Sequence, residues 1–328
     1  MTVISRRAFL GASLCAAALP LRAQPSRAYP DGRPVRLIVP YTPGGGTDSV
    51  SRAIAAKITK SVGWTVVVEN RPGAGGNIGL DTVAKAKPDG FVIGMGQTAN
   101  LAINPALMAK IPFDASRDFT AIALVASLPV VLVVKADARW KSLGDLVAEA
   151  RSRPLSIKQA LAGSGTVGHL AGELLAHQAR LQFLNVPYRG AAPALNDLLG
   201  NNTDCMFATP QAAQEMLKGK VLRPLAVSSR QRLAILPDVP TIAESGFAGF
   251  EATDWKALMA PAGTPADIVE RINNVVEGVL ADPETVALLA AEGSTALGGS
   301  SAKAQQFIQQ EQQKWARLIR DANIKAAA

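Results

Sequence analysis

Val35-Arg36-Leu37-Ile38-Val39-Pro40-Tyr41-Thr42-Pro43-Gly44-Gly45-Gly46-Thr47-Asp48 leads into a segment with Val50, Ile54 and Ile58 at helical spacing. The apolar run over 35–39 reads as a buried strand, and the period of four after it as an amphipathic helix. Strand, glycine loop and helix start expose main-chain N–H groups at the positive end of a helix dipole, which makes an anion-binding corner. Glycines let the backbone approach a ligand closely, and Thr47 or Asp48 can cap the helix. The same residues also suit a tight strand-to-helix turn that binds nothing.

The loop is not a nucleotide motif. A P-loop ends in Gly-Lys-Ser/Thr, whereas Thr47 and Asp48 follow Gly46, and no G-x-G-x-x-G is present. With no lysine or arginine in the loop, a polyphosphate would be poorly neutralised. A small carboxylate suits it better.

Alternation of strand-like and helix-like segments continues along the chain and predicts an α/β fold with largely parallel sheets. Strands are expected over 65–69, 91–95, 183–186, 204–208, 222–227 and 251–259, with further apolar runs over 120–127 and 130–134 and a short segment over 157–161. Helices are expected over 80–87, 142–151, 191–199, 211–218, 266–280, 283–291 and 301–322, and after the loop 162–169, with Leu170, Leu174 and Leu175 on one face. Phe307, Ile308, Trp315 and Ile319 form the expected core face of the last helix. Several strands end in loops rich in Gly, Ser, Thr or Asn, among them 96–100 after the strand over 91–95, and open α/β sheets bind ligands at the carboxyl ends of their strands.

Residues 1–28 lack acids, and Arg6 and Arg7 precede an apolar run over 8–21. That run is too short to span a bilayer and matches a twin-arginine export signal, with cleavage after Ala23 or Ala28. Leu14 stands where a lipidated Cys15 would need a small residue, so no lipid anchor is expected. Loss of Arg6, Arg7, Arg22 and Arg27 lowers the formal charge from +8 to +4, and the remaining basic residues are scattered. Nucleic acid is therefore an improbable partner. Only Cys205 remains after cleavage, so no internal disulfide can form. His169 and His177 lie too far apart on one helix to share a metal ion, and no G-x-S-x-G elbow surrounds Ser164. Neither a metal or other cofactor nor enzymatic turnover is expected.

The sequence resembles the solute receptors of tripartite tricarboxylate transporters, the Bug family. The resemblance rests on VRLIVPYTPGGGTD from 35, VVVENRPGAGGNIG from 66, AKPDGF from 86, LAINP from 101 and GSGTVGHLAGELL from 163. It continues through VPYRGAAPALNDLLG from 186, LPDVPTIAESG from 236 and LMAPAGTPADIVERIN from 258. It implies a two-domain, periplasmic-binding-protein-like (Venus flytrap) fold, with 29–127 plus 250–328 as one domain and 128–249 as the other. It further implies a periplasmic monomer that traps a small carboxylate between the domains for integral-membrane transporter subunits. A ligand-sensing subunit of a signalling system would use the same cleft.

Carried over by position, the resemblance implies ligand contacts from Tyr41, Gly45, Gly46, Thr47 and Asp48, and from Gln97, Thr98 and Ala99. The second domain would add Ser164, Thr166 and His169, then Tyr188, Gly190, Ala191 and Ala192, and Thr209. Main-chain groups and ordered waters would hold one ligand carboxylate. His169 equally suits a structural histidine, Arg71 an ion pair with Glu69 or Asp81, and Arg189 a solvated turn. Some members carry an acid where this chain has Ala208-Thr209, and Lys256 stands where an apolar or aromatic residue is commoner. With Asp48 the one obvious acid for an ammonium, the residues lean toward a non-amino carboxylate.

Overall fold

A computed structural model describes residues 29–188 and 190–325. The export-signal reading over 1–28 and the turn residue Arg189 lie outside the described residues. In β1 (Val35–Val39) every residue but Arg36 is buried. The helix α1 (Gly46–Val62) buries Val50, Ile54 and Ile58, as their spacing predicts, and ends at Gly63, whose φ of 72° suits glycine. β2 (Val66–Asn70), α2 (Asn77–Ala84) and β3 (Val92–Gln97) complete a parallel unit in which β1 lies between β2 and β3. Residues 96–100, expected as a loop, instead end β3 and enter a π-helical turn, Ala99–Ile103, that continues as the short α3 (Asn104–Leu107).

The long strand β4 (Phe119–Pro129) passes through Val130 directly into β5 (Val131–Lys135). Then come α4 (Leu143–Ser152), β6 (Lys158–Leu161), α5 (Val167–Ala179), β7 (Leu184–Pro187), α6 (Ala191–Leu199), β8 (Cys205–Ala208), α7 (Pro210–Lys218) and β9 (Leu222–Val227). β10 (Thr253–Pro261) returns the chain, followed by α8 (Ala266–Ala281), α9 (Pro283–Ala291), the two-residue β11 (Thr295–Ala296) and α10 (Ser301–Asp321).

The strands form two sheets, ordered β11-β4-β10-β3-β1-β2 and β7-β6-β8-β5-β9. They are mixed rather than largely parallel, and the crossing explains why. β4 leaves the first sheet at the same end where β10 re-enters it, so these strands must run antiparallel, and they pair from Thr253↔Pro129 to Pro261↔Phe119. The same logic sets β5 antiparallel to β9 in the second sheet. Because β3 opposes β10 and β8 opposes β5, the carboxyl ends of β1, β2, β3, β6, β7 and β8 all face the crossing. That convergence is what the fold does for function.

Ser228 ties the crossing together. Its hydroxyl accepts the Val130 N–H at 2.9 Å and donates to the Ala252 carbonyl at 2.5 Å. Period-two alternation distributes the core over the sheet faces. Val131 and Val133 pack on one side with Leu195 and Met206, while Leu132 and Val134 join Leu170 and Phe207 on the other. In α10, Ile308, Trp315 and Ile319 are buried as expected, and Phe307 meets the Trp255 ring edge-on at 5.5 Å. Among the described residues, no helix is long and apolar enough to cross a membrane.

Candidate functional site

At the crossing lies a cavity of about 240 Å³ with walls from both sheets. It is smaller than the roughly 300–1,000 Å³ of pockets that take drug-sized ligands, so it suits a compact molecule. A larger groove of about 700 Å³ lies between Tyr29, the end of α1 around Val62, and α8. It sits at the opposite end of α1 from Gly46, away from the converging strand ends.

The first-sheet wall is built from Tyr41, Gly75, Gln97, Ala99 and Asn104. The Tyr41 hydroxyl donates to the Gly75 carbonyl and accepts from Asn100 Nδ2, both at 3.2 Å. Burial, and then the nearby Asp254 charge, push the Tyr41 phenol well above its ordinary pKa, so it stays a neutral donor. Gly76 makes this packing possible: its φ is 92°, and a Cβ there would lie 2.6 Å from Asn100 Nδ2 and 2.8 Å from the Tyr41 oxygen. Gln97 is oriented from two sides, its N–H donating to Asn100 Oδ1 at 2.9 Å and its Oε1 accepting from the Thr47 hydroxyl at 2.5 Å.

The second-sheet wall is the loop from β6 into α5, with Ser164 and Thr166, together with Ala191 at the start of α6 and Thr209 at the cap of α7. Thr166 caps α5 by accepting the His169 N–H at 3.3 Å and donates to the Gly163 carbonyl at 2.8 Å. His169 is buried behind this loop, and its Nδ1 accepts the Gly165 N–H at 3.1 Å. Nδ1 is therefore the unprotonated nitrogen of the neutral ring.

Several residues singled out from the sequence stand one layer away. Asp48 is buried and accepts from the Gly44 N–H, Arg52 Nε and Asn70 Nδ2, each at 2.9 Å. Those bonds, led by Arg52, hold its carboxyl down at about 2. Gly45 is the N-cap of α1 and provides no side-chain cap. Gly46 opens that helix, and a Cβ on it would lie 3.0 Å from Gln211 Oε1. Thr98 is fully buried, its hydroxyl donating to the Thr253 carbonyl at 3.1 Å and accepting the Trp255 N–H at 2.9 Å. The Tyr188 hydroxyl donates to Asp197 Oδ2 at 2.6 Å, and burial and that carboxylate push its pKa up to about 12. Gly190 precedes α6 and has open space where a Cβ would stand, while Ala192 is exposed. Arg71 lies 3.6 Å from Glu69, an ion pair that the sequence reading allows.

Sequence reasoning missed Gly75, Asn104, Met108 and, above all, Asp254, which all line the cavity. Asp254 and Lys256 alternate with Trp255 in a predicted strand, and two opposite charges on one face of such a strand were the available signal. Asp254 is the only charged residue among the described cavity-lining residues.

Two α/β lobes joined by crossing strands around a small cleft define the class: a two-domain periplasmic solute-binding protein. The family model described as "Tripartite tricarboxylate transporter family receptor" matches residues 50–324, and the chain belongs to that family. A UPF0065 protein from the tcbD-tcbE intergenic region of Pseudomonas sp. (strain P51) is 39% identical over 98% of this chain and 95% of that protein. Protein BugT of Bordetella pertussis is 36% identical over 90% of this chain and 91% of its own length. Among solved structures, an R. palustris protein with adipate has a TM-score of 0.80 at 33% identity, covering 90% of this chain and 99% of that one. MatC from Rhodopseudomonas palustris with bound malate has a TM-score of 0.75 at 30% identity, covering 88% and 99%. The family is one of substrate-binding receptors and not of enzymes.

Proposed function

We propose that this receptor captures a small carboxylate in the cleft and delivers it to integral-membrane transporter subunits. In this reading residues 1–28 direct export and are removed, and the protein works in the periplasm as a monomer. Residues 29–127 with 250–328 form one lobe and 128–249 the other, and they close on the ligand. The Ser164–Thr166 loop, Ala191 and Thr209 would meet it from one side, with Tyr41, Gln97 and Ala99 opposite.

One observation carries the reading. The starts of α5, α6 and α7 and the Ala99 turn converge on a cavity whose described lining contains no cation. Helix starts leave main-chain N–H donors without helical acceptors, so they suit a carboxylate held by neutral donors and bridging water. Adipate and malate in the related structures agree with this chemistry.

The test is thermal unfolding of the protein lacking residues 1–28 against mono-, di- and tricarboxylates and amino acids. A true ligand at about 100 times its dissociation constant adds about 2.7 kcal/mol of stability, a shift of several degrees for a chain of this size. No shift with any of them, or recovery of a chemically altered ligand, overturns the proposal.

A further inference from the structure

Asp254 and Lys256 occupy positions i and i+2 of β10, a spacing that puts them on one face of the strand. Lys256 Nζ lies 3.3 Å from Asp254 Oδ2, and the lysine side chain is only 2% exposed. Among the described residues this is the one hydrogen bond of the ammonium, which has three donors. Asp254 Oδ1 is buried, and no donor among the described residues reaches it. A buried ion pair kept for stability alone is expected to have its remaining lone pairs and protons satisfied. Here the acceptor left over belongs to a residue that lines the cavity, beside Tyr41 and Gln97. Lys256 pairs across the sheet with Gln97, so the lysine stands next to that wall without lining it.

We infer that Asp254, neutralised by Lys256, is a specificity-determining residue that accepts a hydrogen bond from the ligand. The ligand class is then a carboxylate that also carries a hydroxyl or ammonium donor, rather than a plain mono- or dicarboxylate. This inference rests on the carboxylate-receptor reading above. The lysine explains how an acid can stand in a carboxylate site. It cancels the charge that would repel the ligand and leaves Oδ1 without a donor among the described residues. An unsubstituted ligand would leave Oδ1 unpaired in a site closed to water, the condition under which polar pockets discriminate most strongly. Hydroxyl and ammonium share the donor chemistry, so the probes must separate them.

The experiment is calorimetric titration of the mature protein with three matched sets. These are propionate, lactate and alanine; succinate, malate and aspartate; and adipate, 2-hydroxyadipate and 2-aminoadipate. In the set that binds, a donor-bearing member is expected to bind at least about tenfold more tightly than the unsubstituted one. Whether the hydroxy or the amino member leads identifies the donor. The double variant D254A/K256M, which leaves no buried lone charge, is expected to bring that ratio to about one. D254V/K256M, which also lacks an acceptor and a buried lone charge and whose β-branched side chain suits a strand, provides the same test should the first double variant fail to fold. An unsubstituted acid that binds as tightly as both donor-bearing partners, or a ratio that survives in the folded variants, overturns the inference. Binding by none of the nine overturns this inference, whereas the receptor reading falls only if the wider thermal screen is blank as well.

Discussion

Gln211 Nε2 donates to Glu292 Oε2 at 2.8 Å, joining the start of α7 on the five-stranded sheet to the end of α9 beside the six-stranded sheet. The two lobes also touch here through Gly293, where a Cβ would stand 2.9 Å from that of Pro210. Gln211 Oε1 in turn faces Gly46 at the start of α1. A single amide thus spans the cleft mouth.

In the closure proposed above, that bridge would act as a latch. Truncation in Q211A removes a charge-assisted bond worth about 1.5–3 kcal/mol at most, less if water replaces it. Ligand dissociation is expected to speed up several-fold with little change in association, because the bridge forms only after the lobes meet. Stopped-flow binding measures both rates, and an unchanged dissociation rate would refute the latch.

Ser228 predicts a different kind of loss. Its buried hydroxyl serves Val130 and Ala252 at the crossing, so S228A leaves an N–H and a carbonyl unpaired. The expected cost is about 1–3 kcal/mol, read as a fall in Tm of several degrees. A melting temperature equal to that of the parent would show that the crossing tolerates the gap.

Asp48 sets a pH dependence. Its folded carboxyl titrates at about 2 against an ordinary 3.8, held down by Arg52 first and aided by Gly44 and Asn70 against the effect of burial. A depressed acid contributes stability that is complete above its unfolded pKa and is lost as pH falls through the folded one. The window is therefore about pH 4 down to about 2. D48N should be less stable than the parent at pH 7 and should lose less of its stability across that window. Urea unfolding at pH 7, 4 and 3 checks the sign, and parallel curves for both proteins would contradict it.

How much was legible in the sequence depended on how local the physics was. The helical spacing of Val50, Ile54 and Ile58, and of Ile308, Trp315 and Ile319, identifies two helices because periodicity alone decides which face is buried. The segment 96–100 reads as a loop because nothing local marks a π-turn there. It is closed by the Gln97 N–H to Asn100 bond and by Gln312 of α10, which donates to the Leu101 carbonyl at 2.9 Å. Thr98 looks like a cleft residue until Trp255, far along the chain, takes its hydroxyl. Asp254 is hidden for the same reason. Only the pairing of β10 with β3 brings it beside the cavity, and a strand's partner is set by topology rather than by its own residues.

His169 tests whether the Ser164 loop must be held rigid. Its Nδ1 takes the Gly165 N–H, and Gly165 itself, at a φ of 77°, leaves only 3.1 Å between a would-be Cβ and Leu107 of the opposite lobe. The imidazole does not line the cavity, so it would act on the ligand through the loop. H169L keeps much of the volume but removes the acceptor, leaving the Gly165 N–H to seek another partner. A loss of about 1 kcal/mol in binding, roughly fivefold in Kd, is expected. H169N, whose side-chain oxygen can accept in place of Nδ1, should recover part of it. Calorimetry with the best carboxylate from the thermal screen decides the matter. Equal affinities for all three proteins would make His169 a core residue with no part in binding.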